Sequence, residues 1–372
     1  MTEPTRVLQV VTKMDRGGLE TFVMNMYRKM DRDRVQFDFL CHRDGRFAYD
    51  GEIESLGGRI YQVPRCNPFD PRYLRSVDSF FAAHPYRVVH SHIDCMSALP
   101  LAAAARHGAV VRIAHSHNSR QDKDFKYPLK MVCKRFIRRE ATDLFACGVE
   151  AGRWMFGTDN FTVIRNAIDV DAYAFDEARR ERKRSELGID PSALVVGHVG
   201  RFDPVKNHAF ILEVFAELLR NHPGAVLLLA GDGGLRVDME RRASEFGMAG
   251  SVRFLGVRSD VPDLMQAMDV FLMPSIYEGL PLVLIEAQAS GLLCLISEQI
   301  PFDCDIVPNG VARLSLSEGA NVWAQRLDSL LSFEHSRTHG ASFVREAGFE
   351  AADVADQLQA FYLTTSLQFE KA

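Results

Sequence analysis

The sequence lacks the features that mark several special classes of protein. No apolar run in its 372 residues approaches the roughly 20 residues of a membrane span. The seven cysteines are scattered, odd in number and without a Cys-x-x-Cys pair, which favours reduced thiols over a disulfide framework or a zinc site. Residues Met1–Thr5 lack the apolar core of a signal peptide. A net charge of −5 gives no indication of nucleic-acid binding. These absences favour a cytoplasmic protein that binds no nucleic acid.

Short apolar strands alternate with helical segments in two successive sets, which predicts two doubly wound parallel sheets in an α/β protein. The length fits two domains because single cores usually split at this size. A charged tract, Asp176–Arg184, separates the two sets and is followed by Gly188 and Pro191. We therefore expect an N-terminal domain over 1–170, a linker over 171–190, a second domain over 191–342 and a C-terminal helix over 343–372.

The most informative stretch is Pro274–Ala287, which reads PSIYEGLPLVLIEA. It follows an apolar run that is typical of a buried parallel strand, turns at Gly279 and continues as a helix with Pro281 expected at the first position. Glu278 lies in the turn, and Glu286 lies within the helix. Because helix-start N–H groups attract phosphate and carboxylates can bind sugar hydroxyls, the stretch predicts a nucleotide-sugar site.

This stretch resembles the donor-site signature of glycosyltransferase family 4, whose members are retaining enzymes of the GT-B fold. The resemblance covers nearly the whole chain, with further marks at Gly17-Gly18, at His117 and at Gly200-Arg201 with Lys206. It implies two Rossmann-like doubly wound domains that face each other across a cleft, with acceptor binding in the domain over 1–170 and nucleotide-sugar donor binding in the domain over 191–342. It also implies that the last helix crosses back onto the N-terminal domain.

The resemblance assigns roles in binding the donor and in catalysis. Arg201 and Lys206 would clamp the diphosphate, since a guanidinium can bridge two phosphate oxygens and an ammonium supplies a point charge. Glu286 would bind the ribose hydroxyls, and Glu278 would lie near the transferred sugar. The other donor contacts that the resemblance implies are Gly17, Gly18, Gly200, Gly231, Val257, Arg258, Gly279 and Leu280.

Two further patterns bear on cofactors. The turn Gly231–Gly234 lacks the last glycine of a dinucleotide fingerprint, which argues against a nicotinamide-dependent oxidoreductase. From its residues it is an ordinary tight turn, whereas the resemblance places it beside the nucleotide. Aspartates that could bind a divalent metal are paired at Asp169 and Asp171 and at Asp303 and Asp305, but neither pair follows a strand directly. We therefore predict no metal and no cofactor besides the nucleotide-sugar substrate.

Histidines cluster in two pairs, His90 with His92 and His115 with His117. A spacing of two puts both members of a pair on one face of a strand. The pairs could suggest a metal site, but they come from different strands and have no cysteine partner, whereas zinc prefers closed tetrahedral sets. The resemblance instead places one catalytic histidine near the donor sugar. We assign it to His117, with His115 as the alternative, because the strand end is ambiguous by two residues.

A segment over 126–139 mixes basic and apolar residues, with Lys130, Lys134 and Arg138 at helical spacing. A basic amphipathic helix can lie on an anionic membrane surface, and the alternative is a core-facing helix with a solvated basic face. Membrane contact would hold the protein at the inner face of the cell membrane and bring a lipid-linked acceptor within reach.

The sequence thus predicts a retaining, metal-independent glycosyltransferase. By this prediction it moves a sugar from a nucleotide-sugar donor, expected to be UDP-linked, to a glycan or lipid-linked acceptor in exopolysaccharide or cell-envelope assembly. Two rival functions share the fold, a sugar-nucleotide epimerase and a non-catalytic protein that binds a nucleotide sugar. The set Arg201, Lys206, Glu278 and Glu286 argues against the non-catalytic alternative.

Overall fold

The computed structural model describes residues 3–118, 127–332 and 335–368, and the chain divides into two compact units. The N-terminal unit comprises residues 1–167 and 350–372, and the C-terminal unit comprises residues 168–349. Each unit is built on its own parallel sheet with helices between the strands, which confirms the predicted α/β class.

The N-terminal unit has a seven-stranded sheet in the order β3-β2-β1-β4-β5-β6-β7, with every neighbouring pair parallel. The direction of the strand order reverses between β1 and β4. Its elements up to residue 167 are β1 (Thr5–Val11), α1 (Gly18–Lys29), β2 (Val35–Cys41), α2 (Asp50–Ser55), β3 (Ile60–Gln62), α3 (Pro71–Ala83), β4 (Val88–Ser91), α4 (Ala98–Arg106), β5 (Val111–Ser116), α5 (Tyr127–Glu140), β6 (Asp143–Ala146), α6 (Val149–Phe156) and β7 (Thr162–Val163).

The C-terminal unit has a six-stranded parallel sheet in the order β10-β9-β8-β11-β12-β13. Its order reverses between β8 and β11. Its elements are α7 (Val170–Tyr173), α8 (Glu177–Glu186), β8 (Val195–Val199), α9 (His208–Leu219), β9 (Val226–Ala230), α10 (Arg236–Glu245), β10 (Val252–Gly256), α11 (Val261–Ala267), β11 (Val270–Met273), α12 (Leu282–Ala289), β12 (Leu293–Ser297), β13 (Val311–Leu314), α13 (Gly319–Leu331) and α14 (Gly340–Glu346).

The two points of reversal fix where ligands can bind in each unit, because ligands of open parallel sheets bind beyond the carboxyl ends of the strands at such a switch point. In the C-terminal unit the loops after β8 and β11 therefore frame one site. All four residues of β11 are fully buried, as expected for a central parallel strand that is covered by helices on both faces. In the N-terminal unit the loops after β1 and β4 frame the corresponding region.

The charged tract that the sequence places in a linker is part of the C-terminal unit. It forms α8, whose Arg180 and Arg184 both pair with Asp269, at 2.5 Å and 2.7 Å. Lys183 pairs with Asp260 at 2.9 Å. The charges that indicated a solvated linker are thus neutralised by acids some 77 to 89 residues further along the chain.

The chain passes between the units at 167/168 and again at 349/350. The backbone N–H of Ile168 donates to the carbonyl of Phe349 at 2.9 Å, so the two ends of the C-terminal unit lie side by side. The segment predicted as one C-terminal helix is divided, with α14 in the C-terminal unit and α15 (Ala351–Gln368) packed against α1 of the N-terminal unit. Within the described residues no helix is long and apolar enough to cross a membrane.

Candidate functional site

The loop after β8 holds Lys206 in a fixed position. The Asp203 carboxylate accepts hydrogen bonds from the N–H groups of Val205 and Lys206, at 3.1 Å and 3.2 Å, and closes a short helical turn. Asn207 follows in the left-handed region, with φ of 56°. The N–H of Ile276 donates to the Val205 carbonyl at 2.8 Å. This bond joins the loop after β8 to the loop after β11. The two loops are close because β8 and β11 are neighbours at the switch point.

Two of the predicted catalytic residues meet at this junction. The Lys206 Nζ lies 2.6 Å from the Glu278 Oε1, and the two side chains are only 18% and 13% exposed. Each charge is the partner of the other, so an anion that binds Lys206 competes with Glu278 for the ammonium group. Arg201 lies at the start of the same loop, and its side chain is exposed to solvent.

Close backbone packing explains one predicted donor-site glycine. Gly231 has φ of 143°, and its N–H donates to the Gly256 carbonyl at 2.8 Å. A Cβ atom at Gly231 would overlap the carbonyl oxygen of Gly200. The N–H of Gly200 in turn donates to Ala230 at 2.9 Å. The glycine is therefore required by the contact between the turn after β9 and the loop that carries Arg201.

We expect Gly231→Ala to lower the free energy of unfolding by about 2 kcal/mol or more, because both the backbone conformation and the overlap oppose a side chain. Gly234→Ala is a matched control in the same turn, since nothing lies within 4 Å of a Cβ atom there. Chemical denaturation of both variants measures the difference. Equal stability of the two variants would contradict this account of Gly231.

Helix α12 begins one residue later than the sequence predicts. Pro281 is the N-cap in an extended conformation, with ψ of 108°, and Leu282 is the first helical residue. Gly279 and Leu280 therefore precede the helix, and the prediction that they offer helix-start N–H groups is wrong in that detail. The reason is that Pro281 is compatible with an extended cap as well as with the first turn, and sequence does not separate the two. Their contact with a donor stays a prediction.

Glu286 lies on the second turn of α12 and is only 8% exposed. Burial raises the pKa of this carboxyl to about 7, and a hydrogen bond from Tyr173 opposes the rise. A buried carboxylate is stabilised by each hydrogen bond that it accepts. A ligand hydroxyl that reaches Glu286 could therefore bind by donating a hydrogen bond to this carboxylate. Its contact with ribose hydroxyls stays a prediction.

The residues predicted near the base differ in their surroundings. Val257 is exposed. The Arg258 guanidinium donates to both carboxylate oxygens of Asp260, at 2.7 Å and 2.6 Å, and holds the pKa of that carboxyl well below its ordinary value. Asp260 also pairs with Lys183 of α8. Arg258 thus has a structural role in the C-terminal unit, and its predicted contact with the donor is untested.

The glycines after β1 are not required by the fold. Gly17 is the N-cap of α1 in an extended conformation, with φ of −152°. A Cβ atom there would meet only the flexible end of the Glu20 side chain, and nothing lies within 4 Å of a Cβ atom at Gly18. Neither strain nor backbone packing explains the pair, which favours the predicted close approach of a ligand to this loop.

The two histidine pairs form one buried group at the carboxyl ends of β4 and β5. We call His90, His92, His115 and His117 the histidine cluster. The ring centroids lie 4.2 Å apart in the first pair, whose rings are tilted, and 4.1 Å apart in the second pair, whose rings stack. Burial lowers the pKa of every member, that of His117 to about 3, so the cluster is neutral. His115 and His117 lie beside each other. The choice of His117 over His115 as the histidine that faces the donor sugar stays a prediction.

Among the described residues, the histidine cluster is the only group of side chains whose ligand atoms lie close enough together to hold a metal ion. Ring nitrogens of His90, His92 and His115 lie within 4.8 Å of one another, and neutral imidazole is the form that binds metals. Both ring nitrogens of His90 and of His92 take part in hydrogen bonds between the rings or to neighbouring side chains, and so does the His115 Nδ1. The buried His115 Nε2 has no hydrogen-bond partner among the described residues. Of the aspartate pairs, Asp305 is held by Arg313 through two hydrogen bonds, and Asp171 pairs with Arg345.

The solvent-facing side of α5 carries apolar residues as well as the basic residues that its charge spacing indicates. Lys134 lies over the Trp154 ring, 4.3 Å from its centroid, and Lys130 is half-buried. Arg138 is exposed as predicted. The solvent-facing side carries Val132 and Phe136, which are 54% and 48% exposed. Its remaining exposed cations are Arg135 and Arg139.

Comparisons with known proteins cover both units. The profile of "Glycosyl transferases group 1" matches residues 179–345, and that of "Glycosyl transferase 4-like domain" matches residues 17–167. EpsF of Bacillus subtilis (strain 168), which is named as a glycosyltransferase, is 42% identical over 332 residues, or 87% of this chain and 86% of EpsF. A UDP-Gal:alpha-D-GlcNAc-diphosphoundecaprenol alpha-1,3-galactosyltransferase of Escherichia coli is 26% identical over 297 residues, 76% of each chain.

Solved structures agree with the fold. Anabaena HepE in complex with UDP-glucose has a TM-score of 0.76 at 20% identity and covers 97% of this chain and 99% of its own. WaaG, a glycosyltransferase involved in lipopolysaccharide biosynthesis, has a TM-score of 0.70 at 18% identity and covers 96% and 99%. At these identities the likeness concerns the fold.

Proposed function

Since this chain belongs to the glycosyltransferases of group 1 and family 4 and has their GT-B fold, we propose that its donor is a nucleotide sugar whose diphosphate binds at Lys206. The observation that carries the proposal is the ion pair between Lys206 and Glu278, which joins the loops after β8 and β11 at the switch point. A cation held this way offers a preformed site for the leaving phosphate, and Arg201 adds a second cation at the start of the loop.

The proposed donor is UDP-linked. Two relatives support this choice, since the E. coli enzyme is named for UDP-Gal and HepE is solved with UDP, with UDP and glucose, and with UDP-glucose. The proposed acceptor is a glycan or a lipid-linked sugar of exopolysaccharide or cell-envelope assembly. Three similar proteins support this class of acceptor. They are EpsF, the diphosphoundecaprenol galactosyltransferase of E. coli and a capsular polysaccharide biosynthesis glycosyltransferase of Staphylococcus aureus.

In the proposed reaction the bond between the anomeric carbon and the diphosphate oxygen breaks, and a bond from the same carbon to an acceptor oxygen forms. The acceptor's hydroxyl proton passes to the leaving phosphate, and the anomeric configuration is retained. When the diphosphate takes Lys206, the Glu278 carboxylate loses its partner and becomes available to the sugar, where positive charge develops. Lys206 and Arg201 supply the charge stabilisation for which other transferases use a divalent metal.

A donor screen tests the proposal. The parent protein is heated with UDP, GDP, ADP and their sugar conjugates, because a ligand of the native state raises the melting temperature. We expect UDP and one UDP-sugar to give the largest shifts and that UDP-sugar to be consumed only when an acceptor is added. Consumption without an acceptor, with a rearranged sugar nucleotide as product, would instead indicate an epimerase. Binding without turnover of any donor would indicate a non-catalytic protein. NMR of the glycosidic product gives its anomeric configuration.

We also propose that α5 contacts an anionic membrane surface through the face that carries Val132 and Phe136. Two apolar side chains one turn apart, flanked by Arg135, Arg138 and Arg139, match the chemistry of an anionic lipid surface, into which apolar groups insert while cations remain among the headgroups. An overall charge of −5 makes this basic face a local feature and not a property of the whole surface.

Replacing Val132 and Phe136 by serine should reduce binding to anionic liposomes, and replacing Arg135 and Arg139 by glutamine should reduce it further, by about 1 kcal/mol for each cation. Val237→Ser is the matched control, since Val237 is 72% exposed on α10 of the other unit. Co-sedimentation at low and moderate salt measures the effect. If the parent and the serine variant bind liposomes equally, α5 is a core-facing helix with a solvated basic face and does not contact the membrane.

A further inference from the structure

Two arginines follow neighbouring strands at the carboxyl edge of the N-terminal sheet. Arg43 comes two residues after β2, and Arg65 comes three residues after β3. The two strands are parallel, and their last residues, Cys41 and Gln62, lie side by side. The Val63 N–H donates to the Cys41 carbonyl at 2.9 Å, and the Gln62 side chain donates to a carbonyl of the loop after β2 at 2.6 Å. The two loops that carry the arginines are therefore joined to each other. We call Arg43 and Arg65 the arginine pair.

The position of Arg43 is set by the buried residue before it. The His42 Nδ1 lies 3.0 Å from the carbonyl oxygen of Val11, at the end of β1. The His42 Nε2 lies 3.2 Å from the Tyr73 hydroxyl of α3. The Arg43 Nη1 donates to the His42 carbonyl at 2.8 Å. The Arg43 guanidinium is thus held against a loop that is itself anchored to a central strand and to a helix.

The arginine pair lacks a counter-charge. Among the described residues no carboxylate lies within ion-pair distance of either guanidinium. Arg46, in the same loop as Arg43, differs in this respect, because it pairs with Glu54 at 2.7 Å. Partial burial lowers the pKa of Arg43, and the charge of Arg65 lowers it further. Two like charges are therefore held near each other by the fold, and an anion that binds both guanidinium groups relieves their repulsion.

An exposed aromatic side chain lies in the same loop as Arg65. Phe69 is 77% exposed. Its N–H donates to the Asn67 Oδ1 at 3.1 Å, which fixes the turn that presents it. Cys66 in this loop interacts with Cys133, so the loop lies on the side of the unit where α5 is found. Two unpaired cations with an exposed apolar group beside them fit an anion that carries a hydrocarbon chain.

We propose that Arg43 and Arg65 bind the diphosphate of a lipid-linked acceptor and that Phe69 contacts the start of its lipid chain. The proposal rests on the proposed function and deepens it, because it selects a lipid diphosphate from the two classes of acceptor given there. A guanidinium can bridge two phosphate oxygens, so two of them suit a diphosphate. A neutral glycan would leave both charges without a partner. The carboxyl edge of a parallel sheet is also where ligands of such folds bind.

Binding is tested with farnesyl diphosphate as the probe, and saturating UDP is present to occupy the donor site. We expect Arg43→Gln and Arg65→Gln each to raise the Kd for the probe by about tenfold or more, the effect of one lost hydrogen bond between charged groups. Arg34→Gln is the matched control and should keep the parent Kd. Arg34 is an exposed arginine that precedes β2 and so lies at the opposite edge of the same sheet.

The role of Phe69 has its own comparison. Phe69→Ser should weaken farnesyl diphosphate and leave methyl diphosphate, which has no lipid chain, at the parent affinity. Both glutamine variants should weaken the two probes alike, because they remove contacts to the diphosphate only. Circular dichroism checks the fold of each variant, and all these substitutions replace side chains that are exposed or half-buried.

Turnover separates the acceptor from the donor. Candidate acceptor sugars are offered with the UDP-sugar, each as a prenyl diphosphate and as a neutral octyl glycoside. We expect the parent to prefer the diphosphate and both glutamine variants to lose this preference through a higher KM for the diphosphate acceptor. Their KM for the octyl glycoside and their Kd for UDP should stay within about twofold of the parent.

Three results would overturn the proposal. The first is an equal Kd for farnesyl diphosphate in the parent and both glutamine variants. The second is a parent that uses the octyl glycoside as well as the diphosphate. The third is a loss of binding to anionic liposomes in the glutamine variants without a loss of farnesyl diphosphate, which would assign the arginine pair to lipid headgroups. Failure of the proposed function looks different, because the parent then consumes no nucleotide sugar with any acceptor, whatever its Kd for farnesyl diphosphate.

Discussion

A Lys206→Met variant is expected to keep its fold and to lose roughly 100-fold or more of its turnover, the effect of removing one preorganised charge from a site where negative charge develops. Methionine keeps the length of the aliphatic stem and removes only the ammonium group. The loop after β8 holds the Lys206 backbone, so the ammonium group is already in place and exchanges Glu278 for the diphosphate when the donor binds. Steady-state kinetics with the UDP-sugar and acceptor measure the loss, and circular dichroism checks the fold.

Two comparisons make this result specific. Lys29→Met removes an exposed lysine of α1 and should keep full turnover. Arg201→Ala should lower turnover strongly, as expected for the second cation of the clamp. Turnover of the Lys206 and Arg201 variants within a few-fold of the parent would refute the assignment of the clamp. Activity of the parent should persist in EDTA, and a full loss that a divalent ion restores would show that the reaction uses a metal.

The second large effect concerns nucleotide binding at Glu286. Glu286→Gln should weaken UDP by about 10- to 100-fold, since a hydrogen bond to a charged group contributes about 1.5–3 kcal/mol. Because burial raises the pKa of Glu286 to about 7, the carboxylate is lost as the pH falls below that value. The affinity of the parent for UDP should therefore decrease from pH 8 to pH 6, and the affinity of the variant should not. Calorimetry over this range measures both. A parallel pH dependence in parent and variant would contradict the role of Glu286.

The same substitution should have the opposite effect on stability. The pKa of Glu286 is higher in the folded protein than its ordinary value of 4.5, so between about pH 4.5 and 7 the folded state binds more protons than the unfolded state. Its contribution to the free energy of unfolding therefore declines as the pH rises through this window. Glu286→Gln removes the buried charge and should gain up to roughly 3 kcal/mol relative to the parent above pH 7. Melting temperatures at about pH 5 and 8 test the sign.

Glu278→Gln separates the two glutamates. It removes the partner of Lys206, so UDP should bind as well as to the parent or more tightly, because the phosphate no longer competes with a carboxylate. The kcat with the full donor should fall, because the role of Glu278 is exerted mostly in the transition state. Full turnover in Glu278→Gln, or equal losses of UDP affinity in both glutamate variants, would show that the roles are assigned wrongly.

The sequence determines the alternation of strands and helices well, because apolar runs and glycine turns are local signals. Both sheets and the strand before Pro274 follow from it. It also indicates that Lys206 and Glu278 belong to one site, but only through the resemblance, since 72 residues separate them. Their contact depends on the adjacency of β8 and β11, which are not consecutive in the chain.

Predictions failed where the partner of a side chain is remote in sequence. The tract that contains Arg180 and Arg184 looks like a solvated linker because nothing nearby in the chain neutralises it, whereas Asp269 does so in the fold. The spacing of Lys130, Lys134 and Arg138 predicts one basic face on α5, and it does not indicate that Lys134 lies over the Trp154 ring. Membrane contact through these three residues stays a prediction. Gln9 carries a local signal of a different kind, since a glutamine inside a buried apolar strand requires a polar partner, and its Oε1 lies 2.8 Å from the Nε2 of His92.

The hydrogen bond between Ile168 and Phe349 has a consequence for the modular character of the chain. The C-terminal unit is a continuous insertion whose entry and exit are adjacent, so it has the topology of a cassette set into the N-terminal unit. An insertion with neighbouring ends can be exchanged as a block, because the host chain has only a short gap to close where it was removed. Donor specificity, which the proposed function assigns to the inserted unit, could thus change by exchange of residues 168–349 while the histidine cluster and α15 stay with the host.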